Sequence, residues 1–304
     1  MLSIIIVNYK NPALLRLCLK SLTRIIDEKL NYEISVVDIS SEIETQNVVL
    51  EEFLPILSPT QSEPQNRGSS IFQSNQNDLR KIGTKVKLLS FKDNIGYTRG
   101  VNEGIKASSG EYILILNPDI VPLKDSVEQL LDYMKKNPDV GLVGPQLLNF
   151  DGTPQQSCFG FYNAITIVYR RIEHLPFKSK FLKKFLLKGE DLSSIRSVDW
   201  LMGSALMARR DAVNKVGLLD EKFFLYFSDV DWAKRFWENG YRVVFYPPAK
   251  IYHYHKRTSK RNSWLVDAFI NRQSQWHIRD GFRYLNKWGA LKSSENLKIL
   301  STIN

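Results

Sequence analysis

Two short acidic motifs carry the side chains best suited to chemistry in this sequence. Asn117-Pro118-Asp119 follows an apolar run, and the Asp119 carboxylate can ligate a hard cation such as Mg²⁺ through oxygen. A plain turn is the alternative, since all three residue types favour turns. Asp229 and Asp231 follow the aromatic run Phe223–Phe227. Because an apolar pocket raises the proton affinity of a carboxylate, Asp229 is predicted to be a general base, with a helix N-cap as the alternative role.

The second carboxylate of that motif has a structural partner nearby in the sequence. Asp231 precedes Arg235 by four residues, so their side chains are expected to pair along a helix. Asp231 is therefore interpreted as mainly structural, and Asp229 as the free base.

A histidine pair with basic neighbours is the third candidate. His253 and His255 alternate with tyrosines, so both imidazoles face the same side of a strand. Two such rings can bind a metal ion, or one can ligate while the other contacts phosphate. The basic residues that follow are suited to a diphosphate, and they are Lys256, Arg257, Lys260 and Arg261.

A stretch with glycine every four residues runs from Asn94 to Gly104. Its spacing differs from that of dinucleotide-binding loops and of phosphate-binding P-loops. Glycines near one helical face permit close approach to a ligand, and Arg99 can neutralise phosphate near the helix start. A small-residue packing face is the alternative for Gly96, Gly100 and Gly104.

Alternating strands and helices must position these side chains. Apolar, β-branched runs predict strands over 2–8, 32–38, 85–90 and 111–116, and helices are expected from Pro12 and over 96–107 and 124–136. This repetition predicts a parallel sheet with helices on its faces. Asp38 and Asp119 then lie at the carboxyl ends of strands, where such sheets bind ligands.

The order of elements changes after residue 150. Strands are expected over 198–209, 242–246 and 251–255, a helix over 229–238, and mainly helix over 264–288. The segment 55–78 is rich in Ser, Gln, Asn and Pro, which predicts a mobile insertion at about 55–80. We therefore divide the chain into an α/β half over 1–150, a second half over 151–262 and a helical tail over 263–304.

Composition limits the possible classes of protein. The chain has 304 residues, of which 43% are hydrophobic and 24% charged, which excludes a wholly disordered chain, a fibre and a multi-span membrane protein. Its net charge of +10 indicates an anionic partner or a surplus of surface lysine. Only two cysteines occur, Cys18 and Cys158, and no signal peptide is visible, so a cytoplasmic setting is expected.

The segment 177–188 combines an apolar stripe with many lysines, the two properties of an interfacial helix. Lysines surround one apolar stripe, formed by Phe177, Phe181, Leu182 and Phe185. This pattern is typical of a helix on a membrane surface, here the inner face of the cell membrane. A helix packed on the body with a solvated basic face fits equally well.

Taken in order, these motifs resemble those of family-2 inverting glycosyltransferases, and most closely the rhamnosyltransferase-like branch. The resemblance extends over about residues 2–290. It rests on Ser3 to Tyr9, Val37-Asp38, Asn94–Gly104, Asn117–Asp119, Gly203-Ser204, Phe223–Asp231 and His253. It implies an α/β fold of the GT-A type, in which a Rossmann-like nucleotide-sugar-binding half merges with an acceptor-binding, catalytic half.

The resemblance also implies roles for individual residues. Asp229 corresponds to the catalytic base, and Asp119 and His253 to ligands of a divalent cation, Mg²⁺ or Mn²⁺. The nucleotide site is expected to comprise Tyr9, Asp38, Asn94, Gly96, Arg99 and Asn117. The donor and acceptor pocket is expected to comprise Trp200, Gly203, Ser204, Asp231 and His255.

The activity implied is sugar transfer with inversion, in the synthesis of cell-surface polysaccharide. L-rhamnose from dTDP-rhamnose is the first choice of donor, and a glycan or a polyprenyl-diphosphate-linked glycan is the acceptor. Asn117 and Ser228 stand where the wider family has acidic residues, and Ile39 replaces a common Asn. A catalytically inactive, nucleotide-sugar-binding scaffold therefore stays open as the alternative. Nucleic-acid binding is less well supported, because no known nucleic-acid-binding motif occurs.

Overall fold

The structure is a computed structural model that describes residues 1–40, 42–53, 69–73, 85–171, 180–254 and 271–289. Its strands are β1 (Leu2–Asn8), β2 (Tyr32–Asp38), β3 (Ser69–Gln73), β4 (Lys85–Phe91), β5 (Tyr112–Leu116), β6 (Ile120–Pro122), β7 (Val140–Leu148), β8 (Cys158–Phe159), β9 (Arg196–Ser197), β10 (Trp200–Leu201), β11 (Ala205–Arg209) and β12 (Arg242–His253). Its helices are α1 (Pro12–Ile25), α2 (Ile43–Phe53), α3 (Tyr97–Lys106), α4 (Ser126–Lys136), α5 (Ala164–Arg171), α6 (Lys180–Phe185), α7 (Arg210–Val216), α8 (Ser228–Glu238) and α9 (Arg272–Trp288).

The first half of the chain forms the parallel part of one large sheet. β1 pairs in parallel with β2 on one side and with β5 on the other, and β2 pairs in parallel with β4. Every residue of β1 and β2 is buried, as expected for a parallel sheet covered on both faces. The four predicted strands are confirmed. Their carboxyl ends share one edge, called the carboxyl edge below.

The second half of the chain extends this sheet with antiparallel pairs. β11 lies antiparallel between β5 and β7, while β12 runs parallel to β7 and antiparallel to β6. The order across the sheet is β3-β4-β2-β1-β5-β11-β7-β12-β6. The protein is therefore a mixed α/β fold, with hydrophobic clusters built from residues on both sides of the sheet.

Two strand predictions in the second half are wrong in detail. The expected strand over 198–209 is two strands, β10 and β11, separated by a turn at Gly203-Ser204. The two short strands expected over 242–246 and 251–255 form the single strand β12, whose register against β7 shifts between Tyr246 and Lys250. Pro247 and Pro248 lie at this shift, because proline has no N–H to donate to a ladder.

The expected insertion contains regular structure where it is described. β3 lies at the edge of the sheet and pairs antiparallel with β4, from Ser69 opposite Phe91 to Gln73 opposite Lys87. The sequence predicts a mobile insertion over 55–78, and mobility stays a prediction, although five residues of the segment form β3. The rest of 55–78 lies outside the described residues.

Two of the three spaced glycines form a packing face. A Cβ on Gly104 would lie 2.4 Å from Cγ2 of Ile5, and a Cβ on Gly100 would lie 2.9 Å from Cγ1 of Val7. α3 therefore lies directly on β1, closer than any larger residue permits. The packing alternative for these two glycines is confirmed.

The basic segment at 177–188 packs on the body where it is described. Phe185 of α6 is buried, with its ring centroid 5.2 Å from that of Phe159, and Leu182 packs against the same cluster. Lys183, Lys184 and Lys188 are exposed. These contacts favour the packed helix with a solvated basic face. Phe177 lies outside the described residues, and no helix within the described ranges has the length and apolarity needed to span a bilayer.

The glycine packing generates a stability prediction. Gly104→Ala should lower the free energy of unfolding by about 1–3 kcal/mol, because a methyl group overpacks the contact with Ile5. Gly281→Ala is the matched control in α9, where the added Cβ would meet Phe227 at an ordinary 3.4 Å. Helix propensity should make that variant neutral or more stable by up to about 1 kcal/mol. Urea unfolding of both variants checks this, and equal stabilities would contradict the packing argument.

Candidate active site

The carboxyl edge begins with buried polar groups at the ends of β1 and β2. Asp38 is fully buried, and its Oδ1 accepts a 2.6 Å hydrogen bond from Ser40 Oγ. Burial raises the pKa of Asp38. Oδ2 of Asp38 has no hydrogen-bond partner among the described residues, and neither has Oδ1 of Asn8, which pairs with Asp38 in β1. Tyr9, which follows Asn8 in the chain, is exposed. Unused acceptors beside an exposed aromatic ring are suited to binding a polar ligand.

The start of α3 lies against the aromatic run. Asn94 Oδ1 accepts a 3.0 Å hydrogen bond from the Gly96 N–H. Gly96 has φ of +84°, and a Cβ there would lie 2.7 Å from the Phe224 ring, so only glycine fits. Arg99 is exposed one turn into the helix. These three predicted nucleotide-site residues therefore lie beside the segment that leads to Asp229.

Sheet register brings Asp119 and His253 together. β12 pairs antiparallel with β6 so that His253 lies opposite Ile120, the residue after Asp119. Asp119 Oδ2 is 3.7 Å from His253 Nε2, and Asp119 Oδ1 is buried without a partner among the described residues. Burial raises the pKa of Asp119 to about 6. His255, the other predicted histidine, lies outside the described residues.

This pair fits a divalent cation as part of a larger set of ligands. A carboxylate oxygen with no partner and an imidazole nitrogen lie on the same side of the site, which is suited to Mg²⁺ or Mn²⁺. In the described ranges no group of three or more His, Cys, Asp or Glu side chains has the geometry of a metal site. Asp119 and His253 thus offer two protein ligands to a cation that also takes oxygens from a phosphate or from water.

His253 is held from behind by Gln155, which the sequence analysis missed. Nδ1 of His253 lies 2.9 Å from Gln155 Oε1, and Gln155 Nε2 donates a 2.8 Å hydrogen bond to the His253 carbonyl. The histidine is buried. No sequence signal links these residues, because they are far apart in the chain and meet only in the folded sheet.

Asp229 lies in the first turn of α8, partly buried and bonded on both oxygens. Its Oδ2 accepts a 3.0 Å hydrogen bond from the Gly203 N–H, and its Oδ1 accepts one of 2.9 Å from the Val230 N–H. Burial nevertheless raises the pKa of Asp229. A carboxylate with fixed orientation and raised proton affinity has the properties of a general base.

One phenol connects the two acidic groups. Tyr97, the first residue of α3, donates a 2.8 Å hydrogen bond to the carbonyl of Gly203. Burial raises the pKa of Tyr97, and the charges of Asp229 and Asp119 raise it further. Gly203 also binds the Asp229 carboxylate through its N–H, and the next residue, Ser204, accepts a hydrogen bond from Asn117, two residues before Asp119. The candidate base and the candidate metal ligand belong to one site.

The other predicted pocket residues lie at different depths. Ser204 is buried, and its carbonyl accepts a 2.9 Å hydrogen bond from the Asn117 N–H. Trp200 is also buried, because its ring stacks on Phe159 at 4.7 Å and its indole N–H donates to Gly160. Trp200 therefore packs within an aromatic cluster, and its expected place in the donor and acceptor pocket stays a prediction.

Asp231 is engaged by side chains of α8 and α9. It is fully buried, and its Oδ2 accepts a 3.0 Å hydrogen bond from Arg235 Nε, as the sequence spacing predicts. Its Oδ1 lies 2.8 Å from both Trp288 Nε1 and Lys287 Nζ of α9. With both oxygens in use, Asp231 joins α8 to α9. The structural interpretation is confirmed, and the place of Asp231 in the donor and acceptor pocket stays a prediction.

Two further residues that control this region were missed by sequence reasoning. Asp280 of α9 is fully buried, and its Oδ2 accepts hydrogen bonds from three consecutive backbone N–H groups, those of Phe224, Leu225 and Tyr226. It therefore fixes the loop before α8. Arg170 donates a hydrogen bond to the Tyr162 hydroxyl, and its positive charge opposes the effect of burial on the pKa of Asp229. Neither residue lies in a recognisable motif.

Comparison with known proteins shows what this chain is similar to. Residues 70–190 match the profile of Glycosyl transferase family 2. Residues 70–190 therefore carry the sequence pattern of a family-2 glycosyltransferase domain. The chain is similar to the N-acetylglucosaminyl-diphospho-decaprenol L-rhamnosyltransferase of Mycobacterium tuberculosis, with 28% identity over 58% of this chain and 61% of that protein. It is also similar to the rhamnosyltransferase WbbL of Escherichia coli, with 26% identity over 67% of this chain and 72% of that protein.

Solved structures show that the fold of this domain is of the GT-A type, as expected. GalNAc-T7, solved with UDP, GalNAc and Mn²⁺, superposes on 95% of this chain with a TM-score of 0.63 and 15% identity, over 48% of its own length. The mannosyltransferase PcManGT of Pyrobaculum calidifontis, solved with GDP-Man and Mn²⁺, superposes on 99% with a TM-score of 0.54 and 14% identity, over 78% of its own length. At these identities the likeness concerns the fold alone.

The raised pKa of Asp119 generates a prediction on stability. Its folded-state pKa of about 6 lies above the ordinary 3.8, so the folded protein binds the extra proton and loses stability as pH rises from about 4 to 6. Asp119→Asn should remove this loss and stabilise the metal-free protein at pH 7 by up to about 3 kcal/mol, with no gain at pH 4. Denaturant unfolding in EDTA at both pH values measures it.

The control for this experiment is Asp211→Asn, since Asp211 is an exposed carboxylate in the first turn of α7. It should change stability by no more than about 1 kcal/mol at either pH, since an exposed carboxylate in the first turn of a helix contributes little. If Asp119→Asn were less stable than the wild-type protein at pH 7, the carboxylate would be needed for folding. That result would contradict the prediction that the Asp119 carboxylate lowers the stability of the folded protein.

Proposed function

We propose that this family-2 domain transfers a sugar from a nucleoside diphosphate to an acceptor hydroxyl, with inversion of configuration. The observation that carries the proposal is that the hydrogen bonds of Gly203 and Ser204 bring two unlike acidic groups into one site. Asp119 lies beside an imidazole and is suited to a cation, while Asp229 is bonded in place and is suited to accept a proton. L-rhamnose from dTDP-rhamnose is the first choice of donor, because similar proteins carry the name rhamnosyltransferase.

The donor side of the reaction is assigned to the carboxyl edge. Tyr9 and Asp38 would contact the base and the ribose, next to the acceptor atoms that have no partner there. The diphosphate would lie near the residues at the start of α3 and after β5, which are Asn94, Gly96, Arg99 and Asn117. Asp119 and His253 would hold Mg²⁺ or Mn²⁺, which supplies positive charge to stabilise the diphosphate as it leaves.

The acceptor side is assigned to Asp229. Its carboxylate takes the proton of the acceptor hydroxyl while that oxygen forms a bond to the anomeric carbon. The bond from this carbon to the diphosphate oxygen breaks on the opposite face, so one displacement inverts the configuration. The hydrogen bonds from Gly203 and Val230 orient the base before the substrate arrives.

The acceptor is proposed from the name of the mycobacterial relative, which specifies a sugar linked through diphosphate to a polyprenol. We infer that the acceptor here is a polyprenyl-diphosphate-linked glycan of cell-surface polysaccharide synthesis. Its lipid would bring the protein to the cytoplasmic face of the cell membrane. The exposed lysines of the segment 177–188 are suited to anionic headgroups, although α6 itself packs on the body.

Vesicle binding tests the membrane part of the proposal. Replacing Lys183, Lys184 and Lys188 together by Gln should weaken binding to phosphatidylglycerol vesicles roughly tenfold or more, since each lysine near such a surface contributes about 1 kcal/mol. The control removes the same charge from α4 and the loop before it, through Gln at the exposed Lys124, Lys135 and Lys136. Equal binding by both triple variants in co-sedimentation would contradict a membrane contact at this segment.

Turnover tests the reaction itself. Release of nucleoside diphosphate is measured from dTDP-rhamnose and a panel of UDP-hexoses, with a lipid-diphosphate-linked N-acetylglucosamine acceptor, in Mg²⁺ or Mn²⁺ and then in EDTA. Release from one donor, lost in EDTA, is expected. Donor binding without release would indicate the inactive scaffold, and no binding of any donor would contradict the proposed function.

Substitution of the base assigns the chemical step. Asp229→Asn should lower the rate of transfer by about 10²- to 10⁴-fold, because the acceptor hydroxyl loses its proton acceptor, while the dissociation constant of the donor stays unchanged. Asp211→Asn makes the same substitution in the first turn of α7 and should transfer at the wild-type rate. Full turnover by Asp229→Asn would contradict the assignment.

A further inference from the structure

The orientation of the Gln155 side-chain amide is fixed by its surroundings. Gln155 Nε2 lies 2.8 Å from the His253 carbonyl, 3.4 Å from the Leu148 carbonyl and 2.8 Å from Asn149 Oδ1. Two of these neighbours are backbone oxygens, which can only accept hydrogen bonds. The donating nitrogen of the amide must therefore be on this side. The oxygen Oε1 must be the atom that lies 2.9 Å from His253 Nδ1.

This orientation determines which nitrogen of His253 carries the proton. An amide oxygen accepts but does not donate, so Nδ1 must be protonated to bond with it. A neutral imidazole carries only one N–H, so its other nitrogen, Nε2, then has the lone pair. Nε2 is also the atom that lies 3.7 Å from Asp119 Oδ2. A lone pair and a carboxylate oxygen facing each other do not attract one another, but both can ligate one cation.

We propose that Gln155 is a positioning residue that selects the Nδ1–H tautomer of His253 and so directs the Nε2 lone pair toward the cation shared with Asp119. The inference rests on the proposed function for the presence of the cation. The tautomer itself is a property of the metal-free protein. Metal-binding histidines commonly donate their second N–H to a fixed oxygen acceptor, which sets the ring orientation and raises the basicity of the ligand.

The surroundings of Gln155 make it a rigid support. Its backbone N–H donates a 2.8 Å hydrogen bond to the Leu147 carbonyl, and its own carbonyl accepts one of 2.8 Å from Gln146 Nε2. It therefore stays attached to the end of β7, the strand that pairs with β12 and His253. His253 has only 3% of its side chain exposed, so the contact with Gln155 is protected from water.

Nitrogen NMR of the imidazole rings tests the tautomer without metal or substrate. The chain has four histidines, so single His substitutions assign the His253 signals. At about pH 8 the wild-type protein should show the Nδ1–H tautomer, and Gln155→Ala should shift the population toward Nε2–H. Gln155→Glu should keep Nδ1–H, because a carboxylate oxygen can accept the same proton, although its second oxygen then faces the carbonyls of His253 and Leu148 and lowers the stability of the fold.

The neighbouring glutamine supplies a matched control. Gln156 Nε2 donates to the Cys158 carbonyl at 2.6 Å, so Gln156→Ala removes a glutamine side chain from the adjacent position and should leave the tautomer of His253 unchanged. An Nε2–H signal in the wild-type protein, or an unaltered Nδ1–H signal in Gln155→Ala, would overturn the proposal. Because Gln155→Glu retains the acceptor, its result counts even if the alanine variant folds poorly.

Binding of Mn²⁺ supplies the second measurement. Titration with Mn²⁺ should broaden the His253 signals of the wild-type protein. Gln155→Ala should bind Mn²⁺ about 10- to 100-fold more weakly. Gln155→Glu and Gln156→Ala should retain the affinity. Equal affinity in wild type and Gln155→Ala would overturn the positioning role. Absence of Mn²⁺ broadening in the wild-type protein would overturn the proposed metal site and the ligand role of His253 together, whereas an unaltered tautomer overturns the role of Gln155 alone.

Discussion

The candidate site depends on the pairing of β5 with β11. Leu116 lies opposite Ala205, and the N–H of Asn117 continues the contact by donating to the Ser204 carbonyl at 2.9 Å. Two residues after this bond is Asp119, the candidate metal ligand. One residue before Ser204 is Gly203, whose N–H binds the carboxylate of the candidate base. A short, continuous backbone path therefore sets the separation of the two acidic groups. Between Asp119 and Gly203 this path contains only backbone atoms.

Buried carboxylates serve two different purposes in this fold. Glu33 is buried between Ser3, Lys87 and Ser109, whose hydrogen bonds outweigh the effect of burial and hold its pKa below the ordinary value. Such a group stabilises the fold at neutral pH, because it is fully compensated. Asp38 is buried and Asp119 is partly buried, each has an oxygen without a partner among the described residues, and the pKa of each is raised. Uncompensated carboxylates cost stability, and such groups cluster at functional sites.

The sequence predicts those parts of the structure that local patterns determine. The buried parallel strands follow from runs of β-branched residues, and the pairing of Asp231 with Arg235 follows from helical spacing. Local patterns do not predict the bulge in β12 or the contact between Asp119 and His253, because both depend on the register between distant strands. Trp200 and Asp231 were placed in the pocket by resemblance, but resemblance carries no information on which oxygens and rings are already in use.

The neutral side chain of Asn117 affects the net charge of the proposed donor site. A second aspartate at position 117 would make the proposed donor site more negative, but this chain has a neutral Asn there. In the proposed mechanism a divalent cation held by one carboxylate and one neutral imidazole keeps one net positive charge, since 2 − 1 = +1. Two carboxylates would cancel that charge. Because the leaving diphosphate is an anion in a partly desolvated site, the residual charge stabilises it in the transition state. Asn117 is therefore consistent with an active enzyme, provided that His253 stays neutral and its lone pair stays available.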